Sequence, residues 1–219
     1  MKTHMDLLLV ALDLDGTIKP PFGQVDSEVL DLIARLRRRG VLFVLVTGRC
    51  LSDVRSLVNP TQFDAMVVEN GAIIVIEGVK RVLAPDWWLE KRSTLPPNLM
   101  GGCEEVIVSM DASLYQQAQQ LASKMGGRLE KNKDRLMLLP PGIDKASGLL
   151  CVLEFLRVER ERTACIGDGE NDLPLFELCG IKVALKNSVQ QLKEKANYVS
   201  AKEDGKGVVE ALTHYFRSY

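Results

Sequence analysis

Leu7-Leu8-Leu9-Val10-Ala11-Leu12-Asp13-Leu14-Asp15-Gly16-Thr17 runs six apolar residues into two carboxylates spaced i and i+2, and then into Asp-Gly. An unbroken apolar run followed at once by a turn dipeptide predicts a strand buried on both faces, as inside a parallel sheet. Side chains alternate along a strand, so Asp13 and Asp15 are expected to share one side near its carboxyl end. Two acids held that close repel unless one takes a proton or a cation joins them, and a divalent metal keeps both ionised. Alone, the stretch also reads as an ordinary acidic strand end, because Asp and Gly are common turn residues.

Working outward, Asp26 as N-cap, Val29, Ile33 and Leu36 at i, i+4, i+7, and Gly40 as terminator predict a helix. Residues 41–46 then form a second apolar run. Strand, helix, strand at this spacing is one parallel crossover unit. It ends in Thr47-Gly48-Arg49, and open parallel sheets bind ligands outside their carboxyl ends, which places Thr47 on the same edge as Asp13. A short helix over 51–58, a strand over 65–68 and a hairpin (73–76 with 80–84, turning at Glu77-Gly78) follow. The alternation stops at 85–103, which holds Pro85, Pro96, Pro97, Trp87-Trp88 and Gly101-Gly102. Beyond it we expect a strand at 105–109, a helix capped by Asp111 and stopped by Gly126, and strands near 128–131 and 135–139 about a polar turn at 132–134. After Pro140-Pro141-Gly142 the parallel pattern resumes, with a helix from Asp144 to about Leu156 and a strand at 163–166 that ends in Gly167-Asp168-Gly169-Glu170-Asn171-Asp172. A short helix to Leu178, a strand at 181–185 and helices near 189–196 and 208–215 close the chain. The expected fold is α/β: a Rossmann-like parallel sheet with helices on both faces, its core at 1–79 and 142–219, and a small α+β cap inserted at 80–141.

The 219 residues are 46% apolar and 26% charged, with a net charge of -1, so nothing draws the chain toward nucleic acid or an anionic membrane. Arg37-Arg38-Arg39 falls at a helix end, where it complements the dipole. Met1 to Met5 are polar, and no stretch approaches the ~20 apolar residues of a membrane span, so neither a signal peptide nor an anchor is expected. Cys50, Cys103, Cys151, Cys165 and Cys179 are odd in number and include no Cys-x-x-Cys pair; they read as reduced thiols of a cytoplasmic protein. The histidines, His4 and His214, both lie near the termini, so any metal is expected to be bound by oxygen.

Asp13, Asp15, Asp168 and Asp172 would converge on one sheet edge, a charge that calls for a hard cation such as magnesium. Lys145 falls in the first turn of a helix, where a cation opposes the dipole at a cost of ~0.3–1 kcal/mol. The placement makes sense if an anion such as phosphate also sits there; the plain alternative is a solvated surface lysine.

Asp13-Leu14-Asp15-Gly16-Thr17, Thr47-Gly48-Arg49, Lys145 and Gly167 to Asp172 together resemble the four ordered motifs of the haloacid dehalogenase superfamily. Within it the chain is similar to the phosphatase branch of Cof-type sugar phosphatases, archaeal phosphoglycolate phosphatases and sucrose phosphatases. The resemblance implies a magnesium-dependent phosphatase that hydrolyses a small phosphomonoester, of phosphoglycolate or sugar-phosphate type, through an aspartyl phosphate. In that reading Asp13 is the nucleophile and Asp15 the general acid and base. Mg2+ is held by Asp13, the backbone carbonyl of Asp15 and Asp168, with Asp172 in support through water. Thr47, Gly48, Lys145 and Asn171 hold the phosphoryl group, and Arg49 makes a structural ion pair. The cap closes over the site and reads the leaving group. There Trp87-Trp88 either stack on a sugar or simply pack, and Arg128 and Arg135 either meet a second anion or are solvated. The implied partner is a small phosphorylated metabolite, with no nucleic acid or membrane, and a monomer or homodimer as the assembly. The competing readings are a phosphomutase of the same superfamily, a receiver domain, which has no place for the insert, and a non-catalytic phosphate-binding protein.

Overall fold

The protein is described by a computed structural model for residues 7–96, 99, 102–132 and 134–216; Met1 to Met5, Pro97, Gly101 and position 133 of the expected cap turn lie outside the described residues. The opening apolar run forms β1 (Leu9–Leu12), after which come α1 (Ser27–Arg37), β2 (Leu42–Val46), α2 (Leu51–Leu57) and β3 (Ala65–Val68). Next are the hairpin β4 (Ile73–Ile76) and β5 (Val79–Val82), α3 (Asp86–Ser93), β6 (Val108–Asp111), α4 (Tyr115–Met125), β7 (Arg128–Asn132) and β8 (Arg135–Leu139). The chain finishes with α5 (Lys145–Leu156), β9 (Thr163–Gly167), α6 (Leu173–Leu178), β10 (Ile181–Ala184), α7 (Gln190–Lys195), β11 (Tyr198–Val199) and α8 (Asp204–Tyr215).

The large sheet runs β11-β10-β9-β1-β2-β3-β4-β5, with β1 parallel to both β2 and β9. From β1 the chain builds outward through β2 and β3 on one side and returns through β9 and β10 on the other, which opens a crevice at the carboxyl end of β1. Burial on both faces explains the unbroken apolar run. Val10 and Leu12 pack with Val29 and Ile33 of α1 and with Val208 and Leu212 of α8. Leu9 and Ala11 pack on the opposite face with Leu149 and Leu153 of α5 and with Leu175 and Phe176 of α6. The expected α/β fold with helices on both faces is therefore what the chain adopts. Helix α1 forms as its caps dictate: the Asp26 side chain accepts from the Glu28 N–H, and Val29, Ile33 and Leu36 are its buried face.

A second sheet, β6-β8-β7, is antiparallel and carries α4 on it. Four details differ from expectation. Lys80 to Val82 pair with β4 in the large sheet, antiparallel, so they belong to the core rather than to the insert. The prolines and tryptophans of the break hide an eight-residue helix, α3, whose apolar residues form no stripe. The two-residue β11 is too short to register in an apolar pattern.

The fourth difference concerns 105–109, where the strand begins only at Val108. Upstream of it the backbone N–H groups of Glu105, Val106 and Ile107 donate to the carboxylate of Glu69 at 2.8, 2.8 and 3.1 Å. Glu69 is fully buried just past β3, so one side chain replaces a strand partner and ties the insert to the core. Trp88 is also fully buried and donates from Nε1 to the Val106 carbonyl at 2.9 Å, which makes it a packing anchor.

Cys50 and Cys103 are joined by a disulfide across 53 residues, contrary to the reading of all five cysteines as free thiols; Cys151, Cys165 and Cys179 are free. Spacing could not reveal this pair, because it is made by docking the insert against α2. A bridged pair gives no support for a reducing compartment. Among the described residues no helix is long and apolar enough to cross a membrane.

Candidate active site

Asp13, Thr47, Glu69 and Asp168 each follow the last residue of a sheet strand (β1, β2, β3 and β9), so topology alone gathers them at one edge. Above that edge lies a cleft of about 400 Å³. Its core wall includes Asp13, Asp15, Thr47, Arg49 and Asn171, and its insert wall Ser109, Asn132, Asp134, Arg135 and Met137. Trp87 and Trp88 do not border it.

Lys145 is 1% exposed, not a solvated lysine. Asp144 caps α5 through a reciprocal pair with Ser147, accepting from the Ser147 N–H at 2.8 Å while the Ser147 hydroxyl accepts from the Asp144 N–H at 2.9 Å. That cap aims Lys145 inward, and its Nζ donates to Asp13 Oδ1 and to Asp172 Oδ1, both at 2.6 Å. Gly71 lets the turn after β3 meet this helix start: at φ +99°, a Cβ there would lie 1.8 Å from the Asp144 carbonyl oxygen.

Asp168 closes the arrangement. Carboxylate oxygens of Asp13, Asp168 and Asp172 lie within 4.8 Å of one another, and all three residues are buried. Gly16 permits the approach, since at φ +81° its Cβ would fall 2.2 Å from Asp168 Oδ2. Asn187 secures the same corner, donating from Nδ2 to the Gly16 carbonyl at 2.7 Å. The second oxygen of Asp172 accepts the backbone N–H groups of Asp168 and Gly169 at 2.9 and 3.0 Å. Asp172 thus shapes the loop and holds Lys145.

Burial is the largest influence on Asp13 and, with Asp172 and Asp168 adding to it and Lys145 opposing, pushes its pKa up to about 8. Burial alone would lower Lys145, but Asp13 and Asp172 outweigh it and hold the ammonium above its ordinary range. Lys145 brings one positive charge to the three buried acidic side chains gathered here. Hard oxygen donors in such a cluster fit a divalent cation.

Asp15 faces the same cleft, but its carboxylate is gripped by Arg49, Nε to Oδ2 at 2.5 Å and a terminal nitrogen to Oδ1 at 2.9 Å. The ion pair expected of Arg49 exists, and its partner is the candidate acid itself. Thr47 is 1% exposed, and its hydroxyl accepts from the Arg49 N–H at 3.2 Å. Arg128 turns away from the cleft, donating to the Ile143 carbonyl at 2.8 Å and pairing with Glu130 at 2.8 Å. Arg135 borders the cleft and makes no ion pair among the described residues, although Asp111 stands opposite it in the β6-β8 register.

Sequence reasoning missed Glu69, Asn70 and Glu130. Glu69-Asn70-Gly71 does follow a strand of the sheet, and the carboxyl-end rule that selected Thr47 applies to it equally. Asn70 is fully buried, and its side chain meets both Asn171 and Glu130.

Residues 10–85 and 103–212 match the haloacid dehalogenase-like hydrolases. The chain belongs to that family. It is 30% identical to phosphoglycolate phosphatase 2 of Saccharolobus solfataricus, with 94% of this chain and 91% of that one aligned. It is 28% identical to phosphoglycolate phosphatase of Methanopyrus kandleri, over 93% of this chain and 95% of the other. In fold it resembles protein 0175 of Thermoplasma acidophilum, with a TM-score of 0.80, 21% identity, and 95% and 98% of the two chains covered. It also resembles a phosphatase of the haloalkanoate enzyme superfamily from Bacteroides thetaiotaomicron, with a TM-score of 0.79, 22% identity, and 98% and 96% covered. The resemblance to the phosphatase branch read from the four motifs is borne out.

Proposed function

We propose that this hydrolase is a magnesium-dependent phosphatase of a small phosphomonoester bearing a carboxylate, of the phosphoglycolate type. The observation that carries the reading is the position of Asp13: a buried carboxylate at a cleft wall, 2.6 Å from the Lys145 ammonium and within reach of two further buried acids.

Asp13 attacks phosphorus in line and forms an aspartyl phosphate, splitting one hard hydrolysis into two easier displacements. Lys145 and the Thr47 hydroxyl stabilise the equatorial oxygens as charge develops, joined by the Gly48 backbone and the Asn171 amide. Asp15 passes a proton to the leaving oxygen and then takes one from the attacking water. It does so only after the Arg49 pair opens, and an incoming phosphoryl group competes for that guanidinium. Asp13 and Asp168, with the backbone carbonyl of Asp15, would hold Mg2+, with Asp172 supporting from the loop it shapes. The ion supplies positive charge that keeps Asp13 ionised and polarises the phosphoryl oxygens.

The insert acts as the cap, with its domain at about 83–141, and Arg135, which makes no ion pair among the described residues, gives a second anionic group of the substrate a partner. A phosphomutase would need several such cations on the cap wall; among the described residues lining it there, Arg135 stands alone. A cytoplasmic setting suits a small metabolite as substrate, and the chain works as a monomer or homodimer.

The test is phosphate release from phosphoglycolate, a hexose phosphate and an aryl phosphate whose leaving group carries no carboxylate, with magnesium and with chelator. Asp13→Asn abolishes release from all three. Arg135→Leu lowers kcat/KM for phosphoglycolate by roughly 10- to 150-fold, the range of a hydrogen bond to a charged group, and leaves the aryl ester unchanged. Full activity of Asp13→Asn would refute the mechanism, and an equal effect of Arg135→Leu on every ester would refute the carboxylate.

A further inference from the structure

Asn70 joins three separate parts of the chain through one amide. Its Nδ2 donates to Glu130 Oε1 on β7 at 3.1 Å and lies 2.9 Å from Met137 Sδ on β8, while its Oδ1 accepts from Asn171 Nδ2 at 3.1 Å. Glu130 is held from its other side by Arg128, whose guanidinium lies 2.8 Å from Oε2 and also donates to the Ile143 carbonyl in the linker to α5.

The two ends of an amide have nearly the same shape and opposite hydrogen-bonding sense, so its direction is decided by its neighbours. A carboxylate only accepts. Glu130 therefore turns the nitrogen of Asn70 toward itself, and the thioether of Met137, also an acceptor, agrees. The oxygen of Asn70 is then committed to Asn171, which must answer with its nitrogen. Asn171 borders the cleft, and its own Oδ1 sits on the Gly169 side, 2.9 Å from where a Cβ of that glycine would be. One N–H of Asn171 is spent on Asn70, and the other makes no hydrogen bond among the described residues, which leaves it for an incoming phosphoryl oxygen.

We propose that Glu130 is a positioning residue that sets the polarity of this amide relay, so that Asn171 meets the phosphoryl group with a donor rather than a carbonyl. The inference rests on the reading of the cleft as a phosphoryl site. Because Glu130 lies on the insert and Asn70 and Asn171 on the core, the relay is complete only while the insert is docked.

Glu130→Gln inverts the relay without changing its shape. Arg128 claims the amide oxygen of the new side chain, whose nitrogen then faces Asn70; Asn70 turns over, and Asn171 turns after it. Glu130→Gln combined with Asn70→Asp restores the original sense, because an aspartate at 70 accepts from both neighbours, and the double variant keeps the charge of the wild type. The probe is inorganic phosphate, read as its inhibition constant and by calorimetric binding, alongside KM and kcat for phosphoglycolate and the melting temperature. Expected for Glu130→Gln is a loss of phosphate affinity of roughly 10- to 150-fold, seen mainly in KM, with the double variant recovering most of it. A Glu130→Gln protein within about twofold of wild type, or a double variant no better than the single one, would overturn the relay. A wild type that neither binds nor releases phosphate would overturn the phosphatase reading and the relay with it, whereas an active wild type matched by Glu130→Gln would overturn the relay alone.

Discussion

Lys145→Met keeps the length and apolar stem of the side chain and removes the ammonium that lies 2.6 Å from both Asp13 and Asp172. Stripping one partner from a buried ion cluster costs about 3–5 kcal/mol, because the remaining charges keep their burial and lose their compensation. For a chain of this size each kcal/mol lowers the melting temperature by about 2–4 °C, so the variant should melt roughly 6–20 °C below wild type in chelator. The loss depends on pH. Burial already pushes Asp13 up to about 8, and without Lys145 it rises further. A carboxyl whose native pKa is raised holds its proton more tightly folded than unfolded, so stability falls as pH climbs from the ordinary aspartate range toward that raised value. The part of the deficit that comes from Asp13 should therefore be small up to about pH 8 and grow above it, on top of the lost Lys145–Asp172 pair. Magnesium should narrow it, stabilising the variant more than wild type, because the divalent ion replaces the missing charge. With one donor to the phosphoryl oxygens removed, kcat should fall about 10²- to 10³-fold. Thermal melts at three pH values with chelator and with magnesium, alongside phosphate release, read both effects. A variant that melts within about 2 °C of wild type at pH 9 in chelator, where about 1 kcal/mol or less is lost, would refute the electrostatic reasoning.

Glu69 is pushed above the usual glutamate range by burial, against three backbone N–H groups and Arg92. Its contribution to stability should thus fall as pH rises from the ordinary glutamate range to its raised native value, and urea unfolding of Glu69→Gln should lack that slope. The glutamine also confronts one N–H with a donor, which costs about 1–3 kcal/mol at every pH. Cys103→Ser opens a loop closed over 53 residues. The chain-entropy limit for that length is on the order of 4 kcal/mol. Adding reductant should lower wild-type stability toward that of Cys103→Ser and leave the variant unmoved; equal stability of wild type with and without reductant would show that the pair contributes nothing.

Wherever neighbours along the chain settle the outcome, the sequence was legible. The apolar run before Asp13, the Asp26 cap with Val29, Ile33 and Leu36, and the helix that starts at Asp144 with Lys145 in its first turn encode strand and helix in consecutive residues, because alternation, helical period and capping are short-range. The carboxyl-end rule then brought Asp13, Thr47 and Asp168 to one edge before any coordinates, since parallel crossovers leave little freedom in where those ends lie. Partners were another matter. Lys145 and Asp13 are separated by 132 positions, Asn70 and Glu130 by 60, and Arg49 and Asp15 by 34. A charged or amide side chain has several acceptable partners, and which of them it meets depends on how the insert docks and how the strands are ordered. Composition and motif thus determined a phosphate-sized acidic site on an α/β sheet. Tertiary packing alone decided that Arg49 holds Asp15, that Cys50 meets Cys103, that Glu69 stands in for a strand, and that Glu130 faces Asn70, because each of those contacts is made between elements the chain brings together only when folded.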